Sequence, residues 1–179
     1  MAKMEFAKIT SVKFGTVMAD GTMQTTLNEL GVIKKGTATL NFAEPDITDI
    51  EIEESDTPYA SKKGTGEKDL TMTLLGIETV NLATLLGGTY TAATGSVPEQ
   101  IAMPSSTNDV LRAVQLEGQN ADGEPVIIAI VKTNVIISSS DTITKDDVAG
   151  WTIKCKILQP VNASGVPTSP YFFKAGTPT

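Results

Sequence analysis

The sequence predicts a mainly β domain: an antiparallel β-sandwich or partly open barrel with one short flanking α-helix. Roughly eight segments carry the two-residue alternation of a strand or a short apolar run, and Gly, Pro, Asn and Asp cluster between them. Only "TVNLATLLGG" has helical spacing, and no strands alternate with long helices. A length of 179 residues suits one domain. Residues 1–160 are expected to form the body, with a projecting hairpin loop at 55–66, and residues 161–179 an extended C-terminal arm.

From the N-terminus, "FAKITSVKFGTVM" reads as a strand with Lys8, Thr10, Val12 and Phe14 on one side and Ile9, Ser11, Lys13 and Gly15 on the other. Neither side is cleanly apolar. "ADGTMQTTLNELG" reads as a loop turned at Asp20-Gly21 and anchored by Leu27, Leu30 and Val32. "IKKGTATLNFAEP" places Ala38, Leu40 and Phe42 on a core face, with Thr37, Thr39 and Asn41 on a polar one, before Pro45 interrupts it. In "TDIEIEE", Ile50 and Ile52 oppose Asp49, Glu51 and Glu53; in "EKDLTMTLL", Leu70, Met72 and Leu74 oppose Glu67, Asp69, Thr71 and Thr73. Between them, "SDTPYASKKGTG" with Pro58, Gly64 and Gly66 reads as a long hairpin tip carrying Lys62 and Lys63.

The helix would be capped by Thr79 and ended by Gly87, burying Leu82, Leu85 and Leu86. A loop with a short strand near Ile101 follows. "DVLRAVQLEG" and "PVIIAIVKTNVII" are joined by the turn "QNADGE", and the second, apolar on both faces, is expected to be the most buried strand. "TKDDVAG", with Thr144 and Asp147 spaced as a capping box, reads as one helical turn. "WTIKCKIL" alternates, Trp151, Ile153, Cys155 and Ile157 inward and Thr152, Lys154 and Lys156 outward. The final segment carries Tyr171, Phe172 and Phe173 as an apolar anchor on the expected arm.

Composition narrows the function. A net charge of −7, from 21 acidic and 14 basic residues, opposes tight nucleic-acid binding, which draws on Lys and Arg. The longest aliphatic run, Val126 to Val131, is too short to span a bilayer, and no membrane segment or signal peptide is expected. The chain has no histidine and one cysteine. That removes Ser-His and Cys-His pairs, His-containing zinc sites and an intrachain disulfide, so no enzyme activity, cofactor or catalytic residue is expected.

The carboxylates Glu44, Asp46, Asp49, Glu51, Glu53, Glu54 and Asp56 raise the question of a cation or acid-base site. Calcium loops curl around the ion with a Gly at the sharp turn, whereas strand spacing sets same-face carboxylates about 7 Å apart in a row. No metal site is expected. A solvated acidic face is the ordinary reading, but Glu67 and Asp69 would extend the row to a neighbouring strand, where like charges repel. Cys155, flanked on its face by Ile153 and Ile157, reads as a core residue.

The stretch "LGVIKKGTATLNFAEPDITDIEIEESDTPYASKKGTGEKDLTMTLLGIE" and the Leu-rich helix after it resemble the major tail tube proteins of long-tailed bacteriophages, relatives of the tubes of contractile injection systems. The resemblance spans Leu30 to Gly88. It implies hexameric rings that stack into a hollow tube assembled in the host cytoplasm and located in the virion tail, with tape measure and tail terminator or initiator proteins as partners. It also implies a lumen lined by Thr37, Thr39, Asn41, Asp49, Glu51, Glu53, Glu67, Asp69, Thr71 and Thr73, whose acidic groups repel passing DNA. Pro58, Tyr59, Lys62, Lys63, Tyr171, Phe172 and Phe173 would then contact adjacent subunits and rings. The alternative is a monomeric β-sandwich binding module, such as a virion decoration or carbohydrate-binding domain.

Overall fold

The computed structural model describes residues 5–53, 55–64, 66–104, 109–139 and 148–176. Its elements run β1 (Lys8–Gly15), β2 (Asn28–Ile33), β3 (Thr39–Phe42), β4 (Ile47–Ile52), β5 (Ser55–Lys63), β6 (Lys68–Leu75), α1 (Thr79–Leu86), β7 (Thr89–Thr91), β8 (Gln100–Ala102), β9 (Val110–Gln119), β10 (Pro125–Ser138), β11 (Trp151–Ile157) and β12 (Tyr171–Ala175). Strands β11, β10, β9, β1, β2 and β6 pair in that order, and β6 pairs back onto β11. The result is a closed six-stranded antiparallel barrel, where the sequence allowed a sandwich or a partly open barrel. Closure satisfies backbone groups that an open edge would leave exposed.

The mixed faces of the first strand are resolved by a bulge. Between Ile9 and Ser11 the β1–β9 register shifts, so Ile9 and Val12 reach the same core despite their odd spacing. A second shift between Ile130 and Thr133 does the same for β10, bringing Ile128, Ile130 and Val135 into one cluster with Leu70, Met72, Leu74, Val114, Leu116 and Ile153. The other side of β10 is also apolar because two turns cover it. Val17 bridges Met23 and Val161 bridges Pro167, and residues 21–23 of the first turn border a pocket beside Ala129 and Val131 together with Thr168 and Ser169, which follow the second. Thr168 Oγ1 donates to the Gly21 carbonyl at 2.9 Å, and Gly21, at φ 74°, leaves no room there for a side chain.

The expected loop after β1 contains a strand, β2, which buries Leu30 but leaves Val32 exposed. β2 and β3 are consecutive runs along one edge of β6: Ile33 pairs with Leu74, and Thr39 with Thr71. The Thr37 hydroxyl bridges the gap, donating to the Lys34 carbonyl at 2.7 Å and accepting from the Thr73 N–H at 3.1 Å. In α1, Leu85 enters the core and Gly87 ends the helix at φ 68°. The residue at its N-cap is Glu78, without a side-chain cap bond; Thr79 Oγ1 instead donates to Glu99 at 2.6 Å.

Two expectations are corrected. Residues 55–63 are not a loop: they form β5, which pairs antiparallel with β4 and with no strand of the barrel. The hairpin turns near Glu53, so Lys62 and Lys63 stand at its root, opposite Thr48 and Ile47. The C-terminal aromatics do not sit on an extended arm either. They form β12, which pairs with the first half of β10, Tyr171 opposite Ile130 and Phe173 opposite Ile128. The turn expected around Thr144 and Asp147 lies outside the described residues.

Candidate functional site

Residues directly opposite one another in a ladder share a face, and three ladders assemble a broad polar one. Thr39, Thr71, Lys154 and Ile136 form one row across β3, β6, β11 and β10; Asn41, Asp69, Lys156 and Asn134 form the next. Thr73, Thr152 and Ser138 form a third, and the Thr73 and Thr152 hydroxyls share a hydrogen bond at 3.2 Å. The alternation of each strand puts these groups outward while Leu70, Met72, Leu74, Ile153 and Cys155 fill the barrel. Six of the ten residues expected on one wall, Thr39, Asn41, Glu67, Asp69, Thr71 and Thr73, are thus gathered along β3 and β6, and Thr37 is tied to them by its hydroxyl, which accepts from the Thr73 N–H.

The acidic character expected of that wall is corrected. Lys154 Nζ lies 3.6 Å from both Glu67 and Asp69, and Lys156 Nζ lies 3.9 Å from Glu67. Two lysines offset two carboxylates. β11, which brings them, lies far away in sequence. Its outward Thr152, Lys154 and Lys156 were legible as an exposed face, but nothing in the sequence paired that face with β6.

Asp49, Glu51 and Glu53 do not share this wall, because β4 pairs with β5 and not with β6. They lie on the projecting hairpin, whose described side chains are exposed from Ile47 through Gly64. Asp49 accepts a hydrogen bond from Ser61 across the ladder. Between Ile50 and Ile52 the register shifts, leaving a bulge around Pro58 and Tyr59. A bulge suits Pro58, which has no N–H to give a ladder. Ile47, Ile50 and Tyr59 are exposed, although the alternation set Ile50 on the side opposite the carboxylates, the face a core would take. A two-stranded hairpin with exposed apolar groups is marginal in water by itself.

Of the expected inter-subunit aromatics, Tyr171 and Phe173 pack within the chain. Their rings lie 5.2 and 6.2 Å from that of Phe42, and Lys68 Nζ sits 5.2 Å from the Tyr171 centroid. This cluster ties β3 and β6 to β12. Phe172, on the opposite face, is 47% exposed, and Phe173 keeps 42% of its surface exposed despite its ring contacts.

On the other side of the barrel, Glu117 accepts from Lys13 at 2.7 Å, Gln115 at 2.7 Å and Ser11 at 3.0 Å. Burial works to raise its pKa, but these donors outweigh it and hold the carboxyl below its ordinary value. Such an ion pair across a ladder is built for the fold. Cys155 is sealed in the core, and burial pushes its thiol up to about 12, so it stays protonated at neutral pH. No group of three or more acidic or cysteine side chains converges on a point among the described residues. No described helix is long and apolar enough to cross a membrane. The chain matches no family model and no curated protein.

Proposed function

We propose that the chain is a structural subunit that assembles as hexameric rings stacked into the tail tube of a long-tailed bacteriophage, through which DNA passes without being bound. The observation that carries the reading is the broad hydroxyl-rich face over β3, β6, β11 and β10, with its charges paired among themselves. A conduit for a polyanion must stay wet and must not hold phosphates. Thr39, Thr71 and Thr152 keep the surface hydrated, and the lysines beside them are already engaged by Glu67 and Asp69. The wall therefore avoids adhesion chiefly by neutrality, where the sequence suggested repulsion.

The exposed hairpin supplies the second support. Its apolar Ile47, Ile50 and Tyr59 gain cover when a neighbouring subunit lies against them. No catalysis is assigned, and the tape measure and terminator proteins remain partners of the assembled tube only.

Negative-stain imaging with sedimentation velocity tests the reading. Rings or hollow filaments are the expected result; a monomer persisting at high concentration overturns it. In assembled tubes, Thr39→Lys with Thr71→Lys should leave the fold intact and make the lumen retain DNA. Tubes that release DNA as before would remove this face from the lumen.

A further inference from the structure

Two turns of the chain share one sequence pattern and one geometry. Asn120-Ala121-Asp122-Gly123 joins β9 to β10, and Asn162-Ala163-Ser164-Gly165 lies between β11 and β12. In each, the Gly N–H donates to the Asn carbonyl, at 3.0 and 2.9 Å, and the Gly sits at positive φ, 82° and 75°. The Asn side chains fold back in the same way. Oδ1 of Asn120 accepts from the N–H groups of Asp122 and Glu124, and Oδ1 of Asn162 from those of Ser164 and Val166. Two N–H donors settle which end of each amide is oxygen, so Nδ2 points away from the turn.

The turns differ in what becomes of Nδ2. That of Asn120 donates to Glu124 at 3.0 Å, and the residue is only 3% exposed. Asn162 is partly exposed, its Nδ2 donates to nothing among the described residues, and its turn is exposed from Ala163 to Pro167. The third position differs as well, Asp122 against Ser164. Of the seven asparagines in the sequence, Asn162 alone begins an Asn-x-Ser/Thr triplet.

We propose that Asn162 is an acceptor for an N-linked sugar, transferred from a nucleoside-diphosphate sugar. Nδ2 bonds to the anomeric carbon, and the bond from that carbon to the diphosphate oxygen breaks. Its electron pair leaves with the nucleoside diphosphate, an Nδ2 proton passes to a base of the transferase, and nothing is oxidised or reduced. An amide nitrogen is a poor nucleophile because it shares its lone pair with the carbonyl. Loss of the proton puts charge on Oδ1, where the Ser164 and Val166 N–H groups already lie at 3.0 and 2.9 Å, so the turn favours the reactive form. The Ser164 hydroxyl is exposed and makes no hydrogen bond among the described residues, which leaves it open to the transferase.

The sugar stands where apolar surface is bare. Val161 and Val166, at the two sides of the turn, are 45% and 55% exposed, and neither belongs to the rows of the hydroxyl-rich wall. A hydrated group there covers both and leaves the wall unchanged. Acceptor chemistry at this turn is independent of the tube reading.

The test incubates the folded chain with uridine diphosphate glucose and a soluble transferase that modifies Asn-x-Ser triplets, and reads intact and peptide masses. One hexose per chain is expected, on the peptide carrying Asn162. Asn162→Gln should abolish it, Ser164→Ala should slow it about tenfold, the worth of one lost hydrogen bond, and Ser164→Thr should retain it. Asp122→Ser writes the same triplet at Asn120, whose amide is buried and tied to Glu124. That second site should stay unmodified in the folded chain, checked by circular dichroism, and should take the sugar in a synthetic peptide of the same sequence. A folded wild-type chain that takes no sugar while a peptide carrying Asn162 does would overturn the proposal. Equal modification of Asn120 and Asn162 in the folded Asp122→Ser chain would overturn it too, because the triplet alone would then decide and the freed amide would not.

Discussion

Replacing Lys154 with methionine keeps the side-chain length and removes the cation that serves both wall carboxylates. Asp69 has only 10% of its side chain exposed, while that of Lys154 is 43% exposed, with 3.6 Å between the charges. Coulomb's law at that separation gives about 1.2 kcal/mol in bulk water and about 4.6 kcal/mol at an effective dielectric of 20. The half-exposed lysine pulls the pair toward the wet limit, where measured couplings are about 0.2–1 kcal/mol. Lys154→Met is therefore expected to cost about 1–2 kcal/mol, the upper part coming from leaving the nearly buried Asp69 carboxylate with the Thr71 hydroxyl at 3.3 Å in place of a cation. Urea denaturation of Lys154→Met, Asp69→Asn and the double variant isolates the pair. The coupling should be near 1 kcal/mol and should shrink in high salt. A coupling below about 0.3 kcal/mol would refute the claim that the wall's charges are held by one another and not by solvent.

Gly118→Ala should destabilise the barrel by more than about 2 kcal/mol, because its β-carbon would press on the Lys8 carbonyl and lie 2.8 Å from the Phe6 ring; an unchanged melting temperature would refute that packing. Glu78→Ser should stabilise by about 0.5–1 kcal/mol, since the N-cap position of α1 has no side-chain cap bond, as read by thermal unfolding. Cys155 makes alkaline stability fall: burial raises its pKa from 9.0 to about 12 in the folded chain, so above pH 9 the unfolded chain loses the proton first. Its contribution should decline by about 1.4 kcal/mol per pH unit up to the folded pKa, and Cys155→Ala should remove that slope. The same thiol should resist alkylation at pH 8 until denaturant is added.

Much of the fold was legible because the elements obey local rules. The clean alternation of "EKDLTMTLL" and "WTIKCKIL" placed Leu70, Met72, Leu74, Ile153 and Cys155 inward, where they lie. The helix could be read from its leucines and Gly87. Where the reading failed, the deciding partner lay elsewhere in the chain. "SDTPYASKK" has a proline, no apolar alternation and two glycines after it, so it reads as a loop; it becomes β5 because β4 turns back onto it near Glu53. "YFFKA" sits in a segment rich in Pro, Gly and Ser, yet β10 has an edge between residues 126 and 130 for it to complete. The two bulges that swing Ile9 and Val135 into the core leave no mark on composition.

The sequence by itself determined a β domain without histidine, with one helix, a sealed cysteine and a Thr-rich outward face on "EKDLTMT", because residue type and period set which side of a strand meets water. Only the tertiary structure decided which strands lie side by side, and ladder register turns that into electrostatics. By pairing β6 with β11 it set Lys154 and Lys156 beside Glu67 and Asp69 and made a neutral wall. By pairing β4 with β5 it moved Asp49, Glu51 and Glu53 off that wall onto a separate hairpin, since Coulomb interactions depend on distances across ladders that no local pattern encodes.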